Sequence, residues 1–511
     1  MSTPTSEHRT RSYFGWQHEK VAFLFGMTLQ RVTMLAGAVL AGIWPLAAAR
    51  PAAGALLWPL AVVLATLAFL RVGGRTTDEW VLAFTSYHWG RSRTRHRFLS
   101  AAFAPAPADA TAAKPMDLPG VLAPLTILEA QGPSGQPLAV AYHRLDRTYT
   151  AVARVRYSGI SLVDSARRDQ RVAGWGALLA GLCTEGNPIV RVQALQRIVP
   201  ESGAALRRWH ADHVAATAPA EAVAVTSDLL TAAALSSSGR EAYLAFTMDH
   251  RRAAGAIKSA GGGSVAAADI LTRHLRALSA SIAGADLQID SWLGPRDLAE
   301  VIRTAYDPHA GRHLAERRAN ATTPGADGLP AGLDPAVAGP AAALSSPGSY
   351  AHDGAHSVTY WIHDWPRNQV YSTVLAPLLG DGAHRRAYSM HIEPLGPREA
   401  SRKVMGERTR RSVAVGMRHR TQQIVPEHER QALARAEAQD AELAAGHGLV
   451  RFTGYVTVTV TDPAQTEDAC AALEADAAAA RIELRRMWYA HDTGFVMGAL
   501  PLGFGLPRKR W

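Results

Sequence analysis

Runs of apolar and polar positions divide this chain into a lipid-like beginning and a mixed α/β remainder. Val32–Ala49 (VTMLAGAVLAGIWPLAAA) and Ala52–Leu70 (AAGALLWPLAVVLATLAFL) carry no charge, and only Arg50–Pro51 separates them. At 1.5 Å per residue the runs reach about 27–29 Å, close to the ~30 Å hydrocarbon core of a bilayer. They predict a two-helix transmembrane hairpin with a very short turn. Trp44 and Trp58 suit an interface, and Pro45 and Pro59 are tolerable near the turn or in lipid-embedded helices. A cleaved signal peptide and a buried soluble hairpin are weaker readings, because the first run starts late and a second follows at once.

Beyond the hairpin the period of the pattern changes repeatedly. Residues 101–118 are Ala/Pro-rich and read as a linker. Pro137–Gly159 shows two alternating runs about a polar turn, a β-hairpin signal. A helix over 164–182, a strand over 188–200, helices over 201–215 and 219–236 and a strand over 241–248 follow. Next come a helix over 265–282, a short strand over 287–293 and a helix from Pro295, which suits a first helical position. Residues 308–350 are dominated by Ala, Gly, Pro and Ser and predict a flexible linker. A second unit opens near Ser357. It has a helix over 369–379, a strand over 384–392 and helical arms over about 397–445 broken by Pro426. A strand over 452–460, a helix over 466–480 and a strand over 482–490 complete it. The expected fold class is therefore α/β (α+β): a membrane hairpin over 1–100, a first α/β domain over 119–307 and a second over 351–511. Strand, helix, strand with a hairpin partner suggests split βαβ units.

Charge refines the membrane reading. The net charge is +10, and residues 1–100 hold eleven Arg and Lys against four acids, an excess of seven. Arg9, Arg11, Lys20 and Arg31 precede the first run, Arg71, Arg75, Arg91, Arg93, Arg95 and Arg97 follow the second, and only Arg50 lies between them. Positive charge marks the cytoplasmic side, so two spans with both termini in the cytoplasm of a cell membrane are expected. The run Arg91–Arg97 reads as a topology signal, with contact to anionic headgroups as the other option. The stretch 402–420 is also basic. It reads first as a solvated helical face, with nucleic acid or an acidic partner as alternatives. It has no Phe, Tyr or Trp for base stacking.

Catalytic chemistry is hard to find. The sequence contains no P-loop, no HExxH and no GxSxG. Gly255–Ser264 (GAIKSAGGGS) has the wrong spacing for a phosphate cradle and reads as a Gly-rich loop before a helix. His210 and His213 stand at i, i+3 without further metal ligands. The dipeptides His352–Asp353, His363–Asp364 and His491–Asp492 place neighbours on opposite strand faces, which is not a dyad. Two cysteines, Cys183 and Cys470, make no disulfide framework and suit a reducing compartment. No catalytic, cofactor or metal residues are assigned.

Two stretches carry a family resemblance. Gly26–Gly42 (GMTLQRVTMLAGAVLAG), with Gly26, Met27, Thr28 and Gln30, and Glu79–Phe98 (EWVLAFTSYHWGRSRTRHRF) resemble the PrgI-family two-helix membrane components of Gram-positive conjugation systems. Thr148–Leu182, Arg240–Arg252 and Arg481–Gly505 resemble the N-terminal, non-catalytic region of the TraC/TrbE-type conjugation ATPases. The chain ends at Trp511, where the motor domain of such ATPases would begin. The resemblance implies an actinobacterial fusion of membrane component and adaptor region: a non-enzymatic, oligomeric scaffold that works without a cofactor. Its partners would be a separate P-loop motor ATPase, other membrane subunits and the bilayer, with direct nucleic-acid contact left open. An EccE-like membrane subunit of type VII secretion is the alternative, and a membrane-bound enzyme with an unrecognised site the second.

Overall fold

The computed structural model describes residues 29–505, apart from 73–74, 104–115, 158–162, 201–203, 237, 322–330, 367–369, 371–372, 381 and 383. Arg9, Arg11, Lys20 and Gly26–Thr28 lie outside the described residues, as do most of the expected linker 101–118 and the onset of the expected helix 369–379. The apolar runs form α1 (Leu29–Ala47) and α2 (Pro51–Phe69), folded against each other about a turn at Ala48–Arg50. Pro51 opens α2, a position where its missing N–H has no partner to lose. Ala52–Phe69 is the described helix long and apolar enough to cross a membrane, whereas α1 supplies a shorter apolar stretch, Val32–Ala47. A small ribbon, β1 (Arg71–Val72) with β2 (Arg75–Thr76), leads into α3 (Thr77–Ser92), and β3 (Arg97–Leu99) joins the main sheet.

The rest of the chain runs through one succession of elements twice. The first pass is β4 (Leu125–Gln131), β5 (Pro137–His143), β6 (Thr148–Tyr157), α4 (Ser165–Leu182), β7 (Ile189–Pro200), α5 (Ala204–His213), α6 (Ala220–Ser236), β8 (Ser238–Asp249), α7 (His250–Ser259), α8 (Gly263–Gly284), β9 (Leu287–Trp292), α9 (Pro295–Tyr306) and α10 (Ala310–Ala321). The second is β10 (Ala342–Ser345), β11 (Tyr350–His352), β12 (Ala355–Asp364), α11 (Ala376–Leu379), β13 (Arg385–Pro394), α12 (Pro397–Arg420), α13 (Glu427–Ala444), β14 (Val450–Val460), α14 (Thr466–Ala479), β15 (Glu483–Arg486) and α15 (His491–Ala499). Each pass is a hairpin, then strand, helix, strand, helical arm, strand, helix, strand and closing helix.

Pairing repeats with the order. The strands lie β9-β6-β8-β7 in the first pass and β15-β12-β14-β13 in the second, antiparallel throughout. This is the split βαβ arrangement made twice. Both leading hairpins add to the same strand edge that the last strand uses, β5 beside β9 on β6 and β11 beside β15 on β12. The registers coincide as well. His143 pairs with Thr148 and His352 with Ala355, and two residues further on Thr150 pairs with Thr247 and Ser357 with Thr459. The repeats join through β7 and β13, with Val192–Ile198 opposite Ile392–Arg386. Across that seam Tyr243, Leu195, Ser389 and Tyr455 are successive cross-strand partners, so equivalent tyrosines flank the junction.

The resulting sheet has helices on both faces. One face of the first repeat (Leu138, Val140, Ala151, Leu244, Phe246) packs under α4, α7 and α8, and the corresponding face of the second (Val358, Tyr360, Val456, Val458) under α14. The opposite face is shared: α9 and α15 lie on one apolar cluster with strand residues from both repeats. Mixed α/β architecture is thus borne out, built on one large antiparallel sheet. Several expectations are corrected. The stretch 308–350 was expected as a flexible linker. It instead carries α10, β10 and the start of β11, with Leu314, Ala343 and Tyr350 buried. Its Ala/Gly/Pro composition hid elements that are fixed by long-range packing. Of the helix expected over 369–379 only α11 is helical among the described residues, with a turn at 373–375 before it, and the strand expected over 482–490 stops at Arg486.

Candidate functional site

Among the described residues no group of three or more His, Cys, Asp or Glu could hold a metal ion. His210 and His213 sit on α5, with His213 stacked on Trp209 at 4.5 Å. Gly261–Gly263 have positive φ and Gly262 caps α8, so the Gly-rich loop ends where a helix begins. His352 is buried and its Nε2 lies 2.8 Å from the Ser357 hydroxyl, which in turn contacts Thr459 at 2.8 Å. Its Nδ1 faces the Tyr306 carbonyl. Ser357 has no solvent exposure, so this serine–histidine contact is a fold element rather than an accessible nucleophile. Burial pushes the His352 and His391 imidazoles down to about 4, which keeps both neutral.

Charges are buried near the junction of the repeats in paired form. The Arg191 guanidinium donates to Glu393 at 2.6 Å and to the Gly503 carbonyl at 2.7 Å, and Arg451 meets the other Glu393 oxygen. Arg197 lies between Glu241 (2.5 Å), the Val301 carbonyl (2.9 Å) and the ring of Tyr243. Burial alone would raise the Glu241 carboxyl, but the Arg197 guanidinium holds it at about 2. These groups tie strands to the covering helices and are saturated by one another.

The region with an unmet physical demand is the joint between the apolar hairpin and the body. In the hairpin, Gly37 approaches Leu64, and the Trp58 indole N–H donates to the Gly42 carbonyl at 3.3 Å. Small residues let the two backbones pack. Outward-facing Leu40, Ile43, Leu46, Leu56, Val62 and Phe69 are exposed, Leu56 at 78%. Contiguous apolar surface of this kind marks a membrane or partner contact. After the ribbon, the Thr77 hydroxyl donates to the Leu70 carbonyl at 2.9 Å and α3 begins.

One face of α3 is aromatic and gathers around Tyr489 of the second repeat. The Tyr489 ring lies 5.4 Å from Tyr87, 5.8 Å from Phe84, 6.2 Å from Trp80 and 6.5 Å from His88. Tyr489 holds a φ of +64°, a left-handed conformation that costs a residue with a bulky side chain, and its N–H is anchored on the Pro347 carbonyl at 2.8 Å. The backbone reversal aims the ring out of the sheet and into α3. Tyr87 is buried and donates to the Ser345 carbonyl at 3.3 Å. The chain then enters the sheet, with Phe98 opposite Ala343 in β3 and β10. Next to this joint, Arg486 stacks on Trp488 at 4.5 Å and donates to the Gly348 carbonyl at 2.8 Å.

The eight arginines expected to set topology fall at four places, the first being Arg31 at the start of α1. Arg50 is exposed at the hairpin turn. Arg71 and Arg75 belong by backbone to the ribbon, and the side chain of Arg31 lies outside the described residues. Arg91, Arg93, Arg95 and Arg97 are exposed and close together where α3 meets the sheet, with Arg93 over the Trp89 ring at 4.9 Å. A helix of α2's length puts about 28 Å between the turn and the ribbon. The sequence missed Tyr489 because the MWY triplet continues an apparent strand, and a positive φ at a tyrosine leaves no compositional trace. The aromatic content of α3 was the available signal. No family model matches the chain, and no curated protein matches it.

Proposed function

We propose that this chain is a non-enzymatic, membrane-anchored scaffold subunit of a conjugative, type IV-like secretion system, recruiting a separate motor ATPase to the cell membrane. In this reading α1 and α2 both span the bilayer and both termini are cytoplasmic. The observation that carries it is the exposed apolar hairpin whose continuation, α3, is clamped to a large mixed α/β body. Water is a poor solvent for such a hairpin, and fully burying each exposed Leu, Ile or Phe side chain is worth roughly 1.5–3 kcal/mol. The exposed arginines Arg91–Arg97 gather at the body end of the hairpin, as the positive-inside rule requires of a cytoplasmic body. The resemblance of Gly26–Gly42 and Glu79–Phe98 to two-helix conjugation components, and of the body to the adaptor region of conjugation ATPases, supplies the identity of the machine. The missing P-loop supplies the need for a separate motor.

The test is a pull-down of the tagged full chain extracted from membranes of its own host, with partners identified by mass spectrometry. A P-loop ATPase lacking its own adaptor region is the expected partner. Recovery of the chain in the soluble fraction, or of intact complexes without any ATPase, overturns the reading.

A further inference from the structure

Each repeat inserts a helical arm between its fourth and fifth strands, α5–α6 between β7 and β8 and α12–α13 between β13 and β14. Because β7 and β13 are antiparallel neighbours, the arms leave the sheet from opposite strand-ends. Counted through the antiparallel neighbours β3, β10, β11, β12, β14 and β13, the strand that receives the chain from α3 starts at the end where β13 leaves into α12. In strand direction, the second arm and the apolar hairpin therefore share one end of the sheet.

The outer face of α12 has an unusual composition. Eight Arg and Lys and only two acids lie in α12, while α13 holds five acids and two arginines. The packed side of α12 is accounted for: Ala400 and Val404 are buried against the body, and Arg408 and Arg418 pair with Asp440 and Glu429 of α13 at 2.7 and 2.8 Å. The opposite face, at three- and four-residue spacing, is Arg402, Gly406, Arg410, Val413, Met417 and Arg420. Near the body it is a shallow groove of about 640 Å³ with Lys403 and Glu399 on its walls. A Cβ on Gly406 would meet nothing within 4 Å, so bare backbone lies between cationic side chains. Toward the tip the same face turns apolar: Val413 is 54% exposed, Met417 61%, and Ile424, just beyond the helix, 90%.

We infer that the α12 face lies on an anionic membrane surface, its arginines and lysine at the lipid phosphates and Val413, Met417 and Ile424 dipped into the headgroup layer. The basic side chains supply attraction to anionic headgroups, and the uncovered Val413, Met417 and Ile424 beyond them supply apolar surface to bury. A nucleic acid would satisfy the cations but offers nothing to the apolar tip, and residues 397–424 contain no Phe, Tyr or Trp on which bases could stack. The inference rests on the anchoring proposed above only for the nearness of a bilayer.

The test uses the full chain mixed with vesicles of phosphatidylcholine alone or with phosphatidylglycerol added. An environment-sensitive thiol label is placed at Met417→Cys on the arm, or at Val62→Cys on the hairpin, and Glu437→Cys on α13 serves as control. Cys183 and Cys470 are buried, which favours the introduced thiols. The Met417 label should move to an apolar environment only with phosphatidylglycerol, while the Glu437 label stays in water. Charge reversal at Arg402 and Arg410 should weaken the response roughly fivefold per charge removed, and rising salt should do the same. A Met417 label that stays in water while the Val62 label is buried in lipid overturns the inference and leaves the anchoring intact. The converse pattern supports the arm contact and overturns the anchoring. A Met417 response to duplex DNA in place of anionic vesicles overturns the inference and assigns the face to nucleic acid.

Discussion

Helices α9 and α15 cover the same face of one sheet by opposite means. In the first repeat the helix carries the bulk. Leu298, Val301, Ile302 and Tyr306 are buried over strand positions reduced to Ala139, Ala141, Val152 and Ala245. In the second repeat the strands present hydroxyls to a helix whose contact positions include glycines. Ser357, Thr359, Ser389, Thr457 and Thr459 line the buried face, and α15 lowers Gly494 and Gly498 onto Thr359 and Thr457. Most of the polar carpet is paired internally: Thr359 meets Thr457 at 3.0 Å, Gln193 donates to Ser389 at 2.9 Å, and His391 reaches the Met497 carbonyl at 2.8 Å through Nε2, while its Nδ1 is buried without a partner. One topology thus accepts an apolar or a hydroxyl-lined seam, provided volume and hydrogen bonds close.

The largest expected effect tests the apolar version. Leu298→Ala should cost about 2–5 kcal/mol, because a fully buried side chain is replaced by a cavity, and denaturant unfolding will read it. Acid is the corresponding test of the polar version. His352 and His391 are held neutral in the fold at about 4 by burial, with Arg385 beside one and Arg191 beside the other also disfavouring charge. The unfolded chain therefore takes up protons first, so their stabilisation is complete above about pH 6.5 and disappears as pH falls toward 4. The loss is about 3 kcal/mol per histidine, visible as a falling Tm over that window and reduced in His352→Gln or His391→Gln. Glu241, at about 2, belongs to a lower window: its contribution is present above its unfolded value near 4.5 and is lost as pH falls toward 2.

Gly498→Ala sharpens the comparison further. The added Cβ would stand 2.3 Å from the Thr457 hydroxyl, so α15 must lift, at a cost of about 1–3 kcal/mol. The double variant Gly498→Ala with Thr457→Ala should recover part of that loss if steric contact is the cause. The smallest effect is local. Tyr489→Ala removes the ring contacts to α3, of which the nearest, with Tyr87 at 5.4 Å, is worth about 0.5–1.5 kcal/mol. It should speed hydrogen exchange over 77–99 while the rest of the sheet keeps its protection. Unchanged exchange there would mean that β3 alone holds the hairpin to the body.

Local pattern made most elements legible. Alternation in Thr148–Tyr157 and Val450–Val460 matches β6 and β14, and the proline at 295 opens α9 as expected. The arms over 397–445 break at Pro426, which caps α13. What failed had no local signal. Residues 342–352 are strands because β12 and β3 flank them, and α15 follows β15 because Gly494 and Gly498 allow a close approach to the sheet.

The sequence by itself determined an uncharged helical hairpin, the excess of basic residues around it and a mixed α/β remainder, since each follows from hydrophobic period and local charge. Tertiary structure alone decided that the remainder is one motif built twice. Register equivalences such as His143 with His352 and Tyr243 with Tyr455 arise from strand pairing between residues distant in the chain. It also decided that Tyr489 joins α3 to the sheet, because a left-handed tyrosine is held by contacts on both sides of the joint and not by any preference of its own segment.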